Sequence, residues 1–401
     1  MRKICFVTCG ALPVPAIKGG AIEQLIELLI NENERTPKFE FTVVECCDST
    51  LEQEFKKYKY THFVQLKHPK SRENKLWWKL RGGVRKLTGN DISIILPFNR
   101  RVRNFLCNRG ADFDYIISEG CEIGVFSKPS KMYGADKFVN HIHCETFSTP
   151  FQENTFGHII AVGDFIKKQF MSSMTKKDMS ISVLKNKIDL SKFAKNIHLE
   201  EKTEIRRKLG FSLDDFVIIY CGRIIEVKGV KELIEAVLSI DNPKIKLMIV
   251  GSSDFKGAQM TDYQVSVCNM AAQHKDRVVF TGYIDNMNLY RYHKSADIAV
   301  VPSIWEEAFS IAILEFLASG IPTIATRSGG MVEEGTPATT LFIDKEYDLV
   351  NNIRRAIMEL YNDPSKLSVM SKNSVERSRL FDKNMYLNDF ESVINQLGQN
   401  E

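Results

Sequence analysis

Two segments of this 401-residue chain place charged side chains between a strand-forming run and a helical pattern. The first is GRIIEVKG, residues 222–229, in which Arg223 and Lys228 lie five positions apart. An arginine fork and a lysine point charge at that spacing could bind a diphosphate, and the flanking glycines let backbone approach a ligand closely. A solvated loop has the same composition, so this segment alone does not decide between an anion site and an exposed loop.

The second segment runs from Pro302 to Gly335 and joins a predicted strand to a predicted helix. Glu307 lies in the loop, and the helix is predicted from about Phe309 to Ser319. The amides of its first residues would have no partner within the helix, and such a helix N-terminus favours anions. Those amides belong to Phe309, Ser310 and Ile311.

Glu315 lies inside that predicted helix, with Ala312, Ile313, Leu314, Phe316 and Leu317 around it. A carboxylate in apolar surroundings is unfavourable unless it is hydrogen-bonded, and sugar or ribose hydroxyls could donate those bonds. The alternative is an ordinary glutamate on a solvated helix face. This segment alone leaves both open.

Short apolar runs alternate with helical patterns along the chain, which predicts α/β structure with parallel sheets covered on both faces. The pattern begins at Ile4–Thr8 and restarts near position 216, where Val217–Tyr220 precedes a helix over Val230–Leu238. We therefore expect two Rossmann-like domains that face each other across a cleft. The first covers 1–195 and is completed by a C-terminal helix within 381–401; the second covers 200–380, and the charged stretch 191–207 would link them.

Composition excludes several classes of protein. Hydrophobic residues make up 44% and charged residues 26% of the chain, and the net charge is +4, which is ordinary for a globular protein. The nine cysteines are scattered without a C-x-x-C pair, so neither a disulfide framework nor a structural zinc site is predicted. No apolar run approaches the ~20 residues that span a bilayer, and prolines interrupt the apolar N-terminus, which argues against a signal peptide.

Taken together, the two charged segments resemble a known family. G-R-x4-K-G from position 222, P-S-x3-E-x-F-S-x4-E from position 302 and G-G-x2-E from position 329 are similar to motifs of the family 4 retaining glycosyltransferases of GT-B architecture. Lesser similarities cover most of the chain. The sequence departs from the usual family pattern at Lys187, Ala308 and Gly163, none of which changes the charges of the donor site.

The resemblance implies roles for individual residues. Arg223 and Lys228 would bind the donor diphosphate and neutralise the charge that develops as it leaves, and Glu315 would bind the ribose hydroxyls. Glu307 and His143 would contact the transferred sugar as catalytic-site residues. The remaining donor-binding residues would be Gly19 and Gly20 near the phosphates, Tyr283 and Ile284 beside the nucleobase, and the amides of Phe309, Ser310 and Ile311.

The resemblance also implies a reaction. A sugar would pass from a nucleotide-diphosphate donor, with UDP-sugar the expected choice, to a hydroxyl of a lipid-linked or growing glycan, with retention of anomeric configuration. No cofactor and no metal would be required, and His141, His143 and Cys144 lack an apparent fourth zinc ligand. Capsule, exopolysaccharide or another cell-surface polysaccharide pathway would be the setting, in a cytoplasmic protein that could be peripheral on the inner face of the membrane.

Residues 66–110 carry twelve Lys/Arg against two Asp/Glu, the strongest charge asymmetry of the chain. Cations and tryptophans mixed in this way are typical of an anionic membrane interface, or the arginines could bind the phosphates of a lipid-linked acceptor. A solvated loop is the alternative. The residues of this membrane or acceptor patch are Lys75, Trp77, Trp78, Lys79, Arg81, Arg100, Arg101 and Arg103.

Two other functions remain open from the sequence. A sugar-nucleotide 2-epimerase of the same architecture would convert the donor without an acceptor, although the spacing between Glu307 and Glu315 argues against it. A non-enzymatic protein could instead use the basic stretch 66–110 for binding. No RNA-binding motif is present, so a nucleic-acid partner is not predicted.

Overall fold

A computed structural model describes residues 1–67, 79–80, 96–177, 179–251 and 260–398 of the chain. Its contacts divide the chain into two units, 1–187 with 383–401, and 188–382. The boundary therefore falls at 187/188, ahead of the predicted interval 195–200. The parallel α/β organisation expected from the sequence is present in both units.

The first unit is built on a seven-stranded parallel sheet of order β3-β2-β1-β4-β5-β6-β7. Its strands are β1 (Arg2–Thr8), β2 (Phe39–Cys46), β3 (Thr61–Leu66), β4 (Tyr115–Glu119), β5 (Phe138–Ile142), β6 (His158–Ala161) and β7 (Ser180–Val183). Its helices are α1 (Ala21–Arg35), α2 (Glu52–Phe55), α3 (Pro97–Arg109), α4 (Ser127–Tyr133), α5 (Pro150–Thr155) and α6 (Asp164–Ser173).

The second unit is built on a six-stranded parallel sheet of order β10-β9-β8-β11-β12-β13. Its strands are β8 (Phe216–Cys221), β9 (Ile245–Val250), β10 (Val278–Gly282), β11 (Ile298–Val301), β12 (Thr323–Thr326) and β13 (Thr340–Ile343). Its helices are α7 (Leu190–Phe193), α8 (Leu199–Lys208), α9 (Val230–Leu238), α10 (Asp262–Ala272), α11 (Leu289–Ser295), α12 (Ile311–Ser319), α13 (Met331–Glu334), α14 (Leu349–Asn362) and α15 (Pro364–Ser378).

Strand β8 shows why this sheet is buried on both faces. Ile218 and Tyr220 belong to one hydrophobic cluster and Val217 and Ile219 to another, because successive side chains of a strand point to opposite faces. Helices α9 and α14 contribute to the first cluster and α12 to the second. A strand with apolar residues at every position is typical of a parallel sheet with helices on each side.

The last helix, α16 (Tyr386–Leu397), packs on the first unit although it follows the second along the chain. Phe390 is buried, and its ring centroid lies 5.8 Å from that of Phe6 and 5.4 Å from that of Phe39. These aromatic contacts join β1 and β2 to the end of the chain. The first unit is therefore discontinuous in sequence.

The predicted linker 191–207 belongs to the second unit and is largely helical. Most of it forms α7 and α8 of the second unit, and Phe193 and Arg206 within it are buried. Arg206 donates from Nη2 to Asp297 Oδ2 at 2.8 Å and from Nε to the Ser295 carbonyl at 2.9 Å. A paired arginine can be buried, and Arg206 anchors the segment to the second unit.

Gly251 holds the ends of three strands together in the second unit. The Gly222 amide donates to the Val250 carbonyl at 3.0 Å, and the Gly251 amide donates to the Gly282 carbonyl at 3.0 Å. Gly251 has φ 139°, and a Cβ there would overlap the Gly222 carbonyl oxygen. Both the backbone conformation and the close approach therefore require glycine.

We expect Gly251→Ala to lower the free energy of unfolding by roughly 3 kcal/mol, since it combines left-handed backbone strain with a backbone clash. Gly282→Ala is the matched control, because its φ is 74° but a Cβ there meets nothing within 4 Å. The urea midpoint of the second unit should fall much further for Gly251→Ala. Equal shifts for the two variants would show that the clash is relieved at little cost.

Candidate functional site

The charged segments of the second unit lie at the point where its strand order reverses. In the order β10-β9-β8-β11-β12-β13, the strands that follow β8 are added toward one edge of the sheet, and those that follow β11 are added toward the other edge. Open parallel sheets bind ligands outside the carboxyl ends of the strands at such a switch point. Arg223 and Lys228 follow β8, while Ser303 and Glu307 follow β11. The topology thus brings together two segments that are about 80 residues apart.

Lys228 and Glu307 form an ion pair across this switch point. Glu307 is buried, and its Oε1 also accepts a hydrogen bond from Ser303 Oγ at 2.6 Å. The Lys228 ammonium lies 5.2 Å from the ring centroid of Trp305, within the range of a cation–π interaction. The carboxylate and the aromatic ring together fix where the ammonium is presented.

Backbone contacts fix the loop that carries Glu307. The Ile304 amide donates to the Val227 carbonyl at 2.9 Å, and the Gly330 amide donates to the Glu307 carbonyl at 2.7 Å. Gly229, with φ 68°, passes so close to the Pro302 carbonyl oxygen that a Cβ would overlap it. The loops after β8, β11 and β12 are therefore held together by main-chain contacts.

Arg223 is exposed at the same switch point, directly after Gly222. Its carbonyl accepts a hydrogen bond from the Tyr220 hydroxyl at 2.7 Å, which fixes the backbone. Within the described part of the chain its guanidinium makes no ion pair, whereas Lys228 does. The arginine side chain is thus exposed, and its role at a diphosphate stays a prediction.

The N-terminus of α12 differs from the prediction. The helix begins at Ile311, two residues later than predicted, and the Ser310 amide donates to Glu334 Oε1 at 2.6 Å. The amide of Ser310 is therefore not free to bind an anion, which corrects its predicted role. Among the described residues, the amides of Phe309 and Ile311 have no such side-chain acceptor.

Glu334 is a buried carboxyl group that the sequence did not single out. The motif G-G-x2-E ends at Glu333, and the residue that bonds to Ser310 is its neighbour. Burial raises the pKa of Glu334 well above its usual value, and the nearby Glu307 carboxylate raises it further. Its Oε2 has no hydrogen-bond partner among the described residues. The side chain thus caps the N-terminus of α12 through the Ser310 amide.

Glu315 lies on α12 and is 9% exposed. Burial raises its pKa to about 8, and Lys192 acts in the opposite direction. Its neighbours include Cys221 at the end of β8 and His293 on α11, with a ligand atom of each within 4.8 Å of one another. The carboxyl is therefore largely protonated at neutral pH, and its role toward ribose hydroxyls stays a prediction.

The loop after β10 carries the two residues predicted beside a nucleobase. Tyr283 is 43% exposed, while Ile284 is half-buried and packs against the core of the second unit. The structure therefore offers one exposed ring and one apolar anchor immediately beyond the carboxyl end of β10. No geometry toward a base is implied by these two positions alone.

In the first unit, His143 follows β5 and bonds to Glu119 at the end of β4. His143 Nε2 lies 2.6 Å from Glu119 Oε2, and His141 Nδ1 lies 3.1 Å from Glu119 Oε1. Strand alternation correctly indicated that the two histidines point the same way. The sequence did not identify Glu119; a glutamate that ends a predicted buried strand before Gly120 was the available signal.

Gly19 and Gly20 lie between β1 and α1, and Gly20 is the residue before the helix. Their φ values are 82° and 101°, so both adopt a conformation that favours glycine. Glu23, in the first turn of α1, would collide with a Cβ on Gly20. Burial raises the pKa of Glu23, and the Glu119 carboxylate adds to that effect.

The basic stretch is described only in part. Lys75, Trp77, Trp78 and Arg81 lie outside the described residues. Lys79, Arg100 and Arg101 are exposed, whereas Arg103 on α3 is half-buried with a buried Nε that has no partner in the described part of the chain. The predicted patch therefore stays a prediction.

Two groups of side chains bring three potential metal ligands within 4.8 Å of one another in the described residues. They are Glu119 with His141 and His143, and Cys221 with His293 and Glu315. Cys144, which the sequence places beside the two histidines, is exposed, and its Sγ lies 3.7 Å from Thr146 Oγ1. In the first group, Glu119 already accepts hydrogen bonds from both histidines, and we assign no metal to either group.

Comparison with known proteins agrees with this site. Residues 201–377 match the family described as glycosyl transferases group 1. The matched residues all lie in the second unit. The match includes Arg223, Lys228, Glu307 and Glu315, so the residues gathered at the β8/β11 switch point all belong to the group 1 region.

Relatives and solved structures extend the similarity. An uncharacterized glycosyltransferase of Methanocaldococcus jannaschii is 34% identical over 177 residues, which is 44% of this chain and 43% of that protein. The lipopolysaccharide 1,2-N-acetylglucosaminetransferase of Salmonella typhimurium is 25% identical over 293 residues, covering 70% of this chain and 74% of that one. The Anabaena protein HepE, solved with UDP and glucose, has a TM-score of 0.73 at 17% identity, covering 98% and 100%.

These similarities confirm the predicted GT-B fold with its two Rossmann-like domains. The part of the chain that the structure describes has no helix with both the length and the apolarity that a membrane span requires.

Proposed function

We propose that this chain is a retaining glycosyltransferase that moves a sugar from a nucleotide-diphosphate donor to a glycan hydroxyl. The observation that carries the proposal is the Lys228–Glu307 pair at the β8/β11 switch point, with Arg223 exposed beside it. Two cations and one fixed carboxylate suit a sugar attached to a diphosphate, because the cations stabilise the negative charge that develops on the departing diphosphate. The carboxylate can accept a bond from a sugar hydroxyl.

The donor-binding roles follow from this arrangement. Arg223 and Lys228 bind the diphosphate, and Glu315 accepts hydrogen bonds from the ribose hydroxyls. The amides of Phe309 and Ile311 add donors near the phosphates, and Tyr283 flanks the base. UDP is the proposed nucleotide, and the UDP bound to the structurally similar Anabaena protein HepE supports this choice.

Retention is proposed to proceed by attack on the face from which the diphosphate leaves. The bond from C1 to the phosphate oxygen breaks, the bond from C1 to the acceptor oxygen forms, and a leaving phosphate oxygen takes the acceptor proton. The buried carboxylates support this route rather than a covalent intermediate. Glu307 is bound by Lys228 and Ser303, and Glu119 by two histidines, so neither is a free nucleophile.

The acceptor is proposed to be a lipid-linked or growing cell-surface glycan. The Salmonella relative is named for a lipopolysaccharide acceptor, which supports this class. The first unit would serve the acceptor side, with the basic stretch 66–110 contacting its phosphates or the anionic membrane that carries it. No metal is required in this proposal, because cations and helix amides neutralise the diphosphate.

A thermal-shift screen of UDP, GDP, ADP and their sugars tests the donor site. One nucleotide at 100 times its dissociation constant should stabilise the protein by about 2.7 kcal/mol, and Arg223→Ala should abolish the shift. Transfer from that donor to a lipid-linked acceptor, with the product anomer read by NMR, tests the reaction. Activity should survive excess chelator.

The outcomes separate the alternatives. An inverted product would refute front-face attack, and loss of activity with chelator would refute metal independence. Conversion of the donor without any acceptor would instead identify a 2-epimerase. Retention on RNA that survives Arg223→Ala, without sugar transfer, would identify a binding protein that uses the basic stretch.

A further inference from the structure

Glu119 binds both histidines of the first unit with its two carboxylate oxygens. The strand register places Glu119 of β4 directly beside His141 of β5, and His143 follows two residues later on the same face. The bond from His143 Nε2 to Oε2 is 2.6 Å and that from His141 Nδ1 to Oε1 is 3.1 Å. One carboxylate at a strand end therefore fixes two rings, whose centroids are 4.0 Å apart.

The charges of this trio define which atom carries a proton. Burial favours the neutral form of Glu119, but the two histidines outweigh it and lower its pKa to about 2. Burial, with His141 nearby, lowers the pKa of His143. A neutral imidazole facing a carboxylate must donate from the nitrogen that faces it. His143 thus carries its proton on Nε2, and its Nδ1 is an acceptor.

His141 is the second anchor of the carboxylate rather than a second acceptor for substrate. It is 5% exposed, and its Nε2 is buried with no hydrogen-bond partner among the described residues. Its bond through Nδ1 prevents the Glu119 carboxylate from rotating toward another donor. The side chain of His143 is 10% exposed, so it is the member of the trio with access to a ligand.

We propose that Glu119 is a positioning residue, which holds the His143 ring in the Nε2-protonated form so that Nδ1 accepts a hydrogen bond from a sugar hydroxyl. This inference rests on the proposed glycosyltransferase function. It assigns a role to a residue outside the donor motifs, supplied by a different strand from the one before His143. A carboxylate that fixes a histidine tautomer in this way commonly affects function without touching substrate.

Other titratable groups face the Glu119 carboxylate. Glu23 from α1, Cys121 after β4 and Tyr386 from α16 each interact electrostatically with it. Burial raises the pKa of all three groups. Among the described residues, His141 and His143 are the side chains that the structure places in hydrogen-bond contact with the carboxylate.

The first experiment reads the tautomer by NMR on the full chain labelled with 15N-histidine. His143→Gln assigns the resonances, and the wild-type His143 should be neutral at pH 7 with the proton on Nε2. Glu119→Gln should mix the two tautomers, while Glu119→Asp should retain the wild-type form. An imidazolium at pH 7, or a proton on Nδ1 in the wild type, would overturn the proposal.

The second experiment is a double-mutant cycle in sugar transfer. Glu119→Gln should lower kcat about 10- to 100-fold with little change in donor KM, by analogy with other groups that orient a histidine. In a His143→Gln background the same change should have less than about a twofold effect, because Glu119 acts through that ring. If the two substitutions instead lower kcat independently, so that their effects multiply, Glu119 has a general structural role. Glu145→Gln, exposed and two residues from His143, is the control.

The two experiments fail in different ways. If the wild type transfers no sugar, the proposed function is refuted, and the tautomer measurement still decides whether Glu119 holds His143. If transfer occurs and the tautomer does not depend on Glu119, only the present inference is refuted. Circular dichroism of each variant checks that a loss of activity is not a loss of fold.

Discussion

Lys228→Ala is expected to lower kcat/KM for sugar transfer about 1000-fold, the largest activity effect of any substitution in the second unit. Removing one fixed donor from a site of developing negative charge commonly reduces kcat by 10²–10³-fold, and a full cation sits here. Steady-state transfer from the donor nucleotide sugar measures this directly. Binding of the free nucleotide should weaken less than the rate falls, since the charge on the diphosphate is greatest as it leaves.

Loss of the ammonium also leaves the Glu307 carboxylate buried with only Ser303 as a partner. The Lys228→Ala/Glu307→Gln variant removes that unpaired charge, so it should melt above Lys228→Ala while remaining equally inactive. Lys231→Ala is the matched control, because Lys231 is an exposed lysine three residues away, on α9. If the double variant recovers activity, the loss of activity in Lys228→Ala was caused by lower stability.

Donor binding is expected to strengthen with pH because of Glu315. The pKa of this buried carboxyl is raised to about 8 in the free protein, and ribose hydroxyls would bind its ionised form. Binding should then release a proton, and the dissociation constant should fall roughly tenfold per pH unit below 8 and level off above it. Calorimetry with a nucleotide sugar, whose diphosphate does not titrate in this range, measures the slope and the proton release.

Neighbouring groups should not obscure that slope. Burial lowers the pKa of His293 to about 3 and raises that of Cys221 well above its usual value, so both stay uncharged from pH 6 to 8. Glu315→Gln should bind weakly at every pH, without proton release. A flat profile in the wild type would mean that Glu315 binds as the neutral acid and donates its own hydrogen.

The same pKa shift affects folding with a definite sign. Because the folded pKa lies above the unfolded value, the native state holds a proton that the unfolded chain releases between about pH 4.5 and 8. This group therefore favours folding at low pH, and its contribution is lost as the pH rises through 8. Bound nucleotide should reverse that loss by supplying hydroxyl donors to the carboxylate.

Local sequence patterns were enough for the buried strands. The helix over Val230–Leu238 was predicted with its observed ends, and the predicted run Val217–Tyr220 lies within β8. Continuous apolar runs bounded by glycine define such strands without help from the rest of the fold. The edge strands β3, β7 and β13 were missed, because half-buried edge positions give a weaker apolar signal.

The sequence by itself determined the α/β class, the family resemblance and the residues Arg223, Lys228, Glu307 and Glu315, because those depend on residue types at fixed spacing along one chain. Only the tertiary structure decided that Lys228 pairs with Glu307, that Glu334 occupies the Ser310 amide, and that Glu119 holds His143. Each of these contacts joins residues 20 to 80 positions apart in the sequence. Crossover connections of a parallel sheet bring such residues together at the carboxyl ends of the strands, and no local sequence pattern encodes the register of those strands.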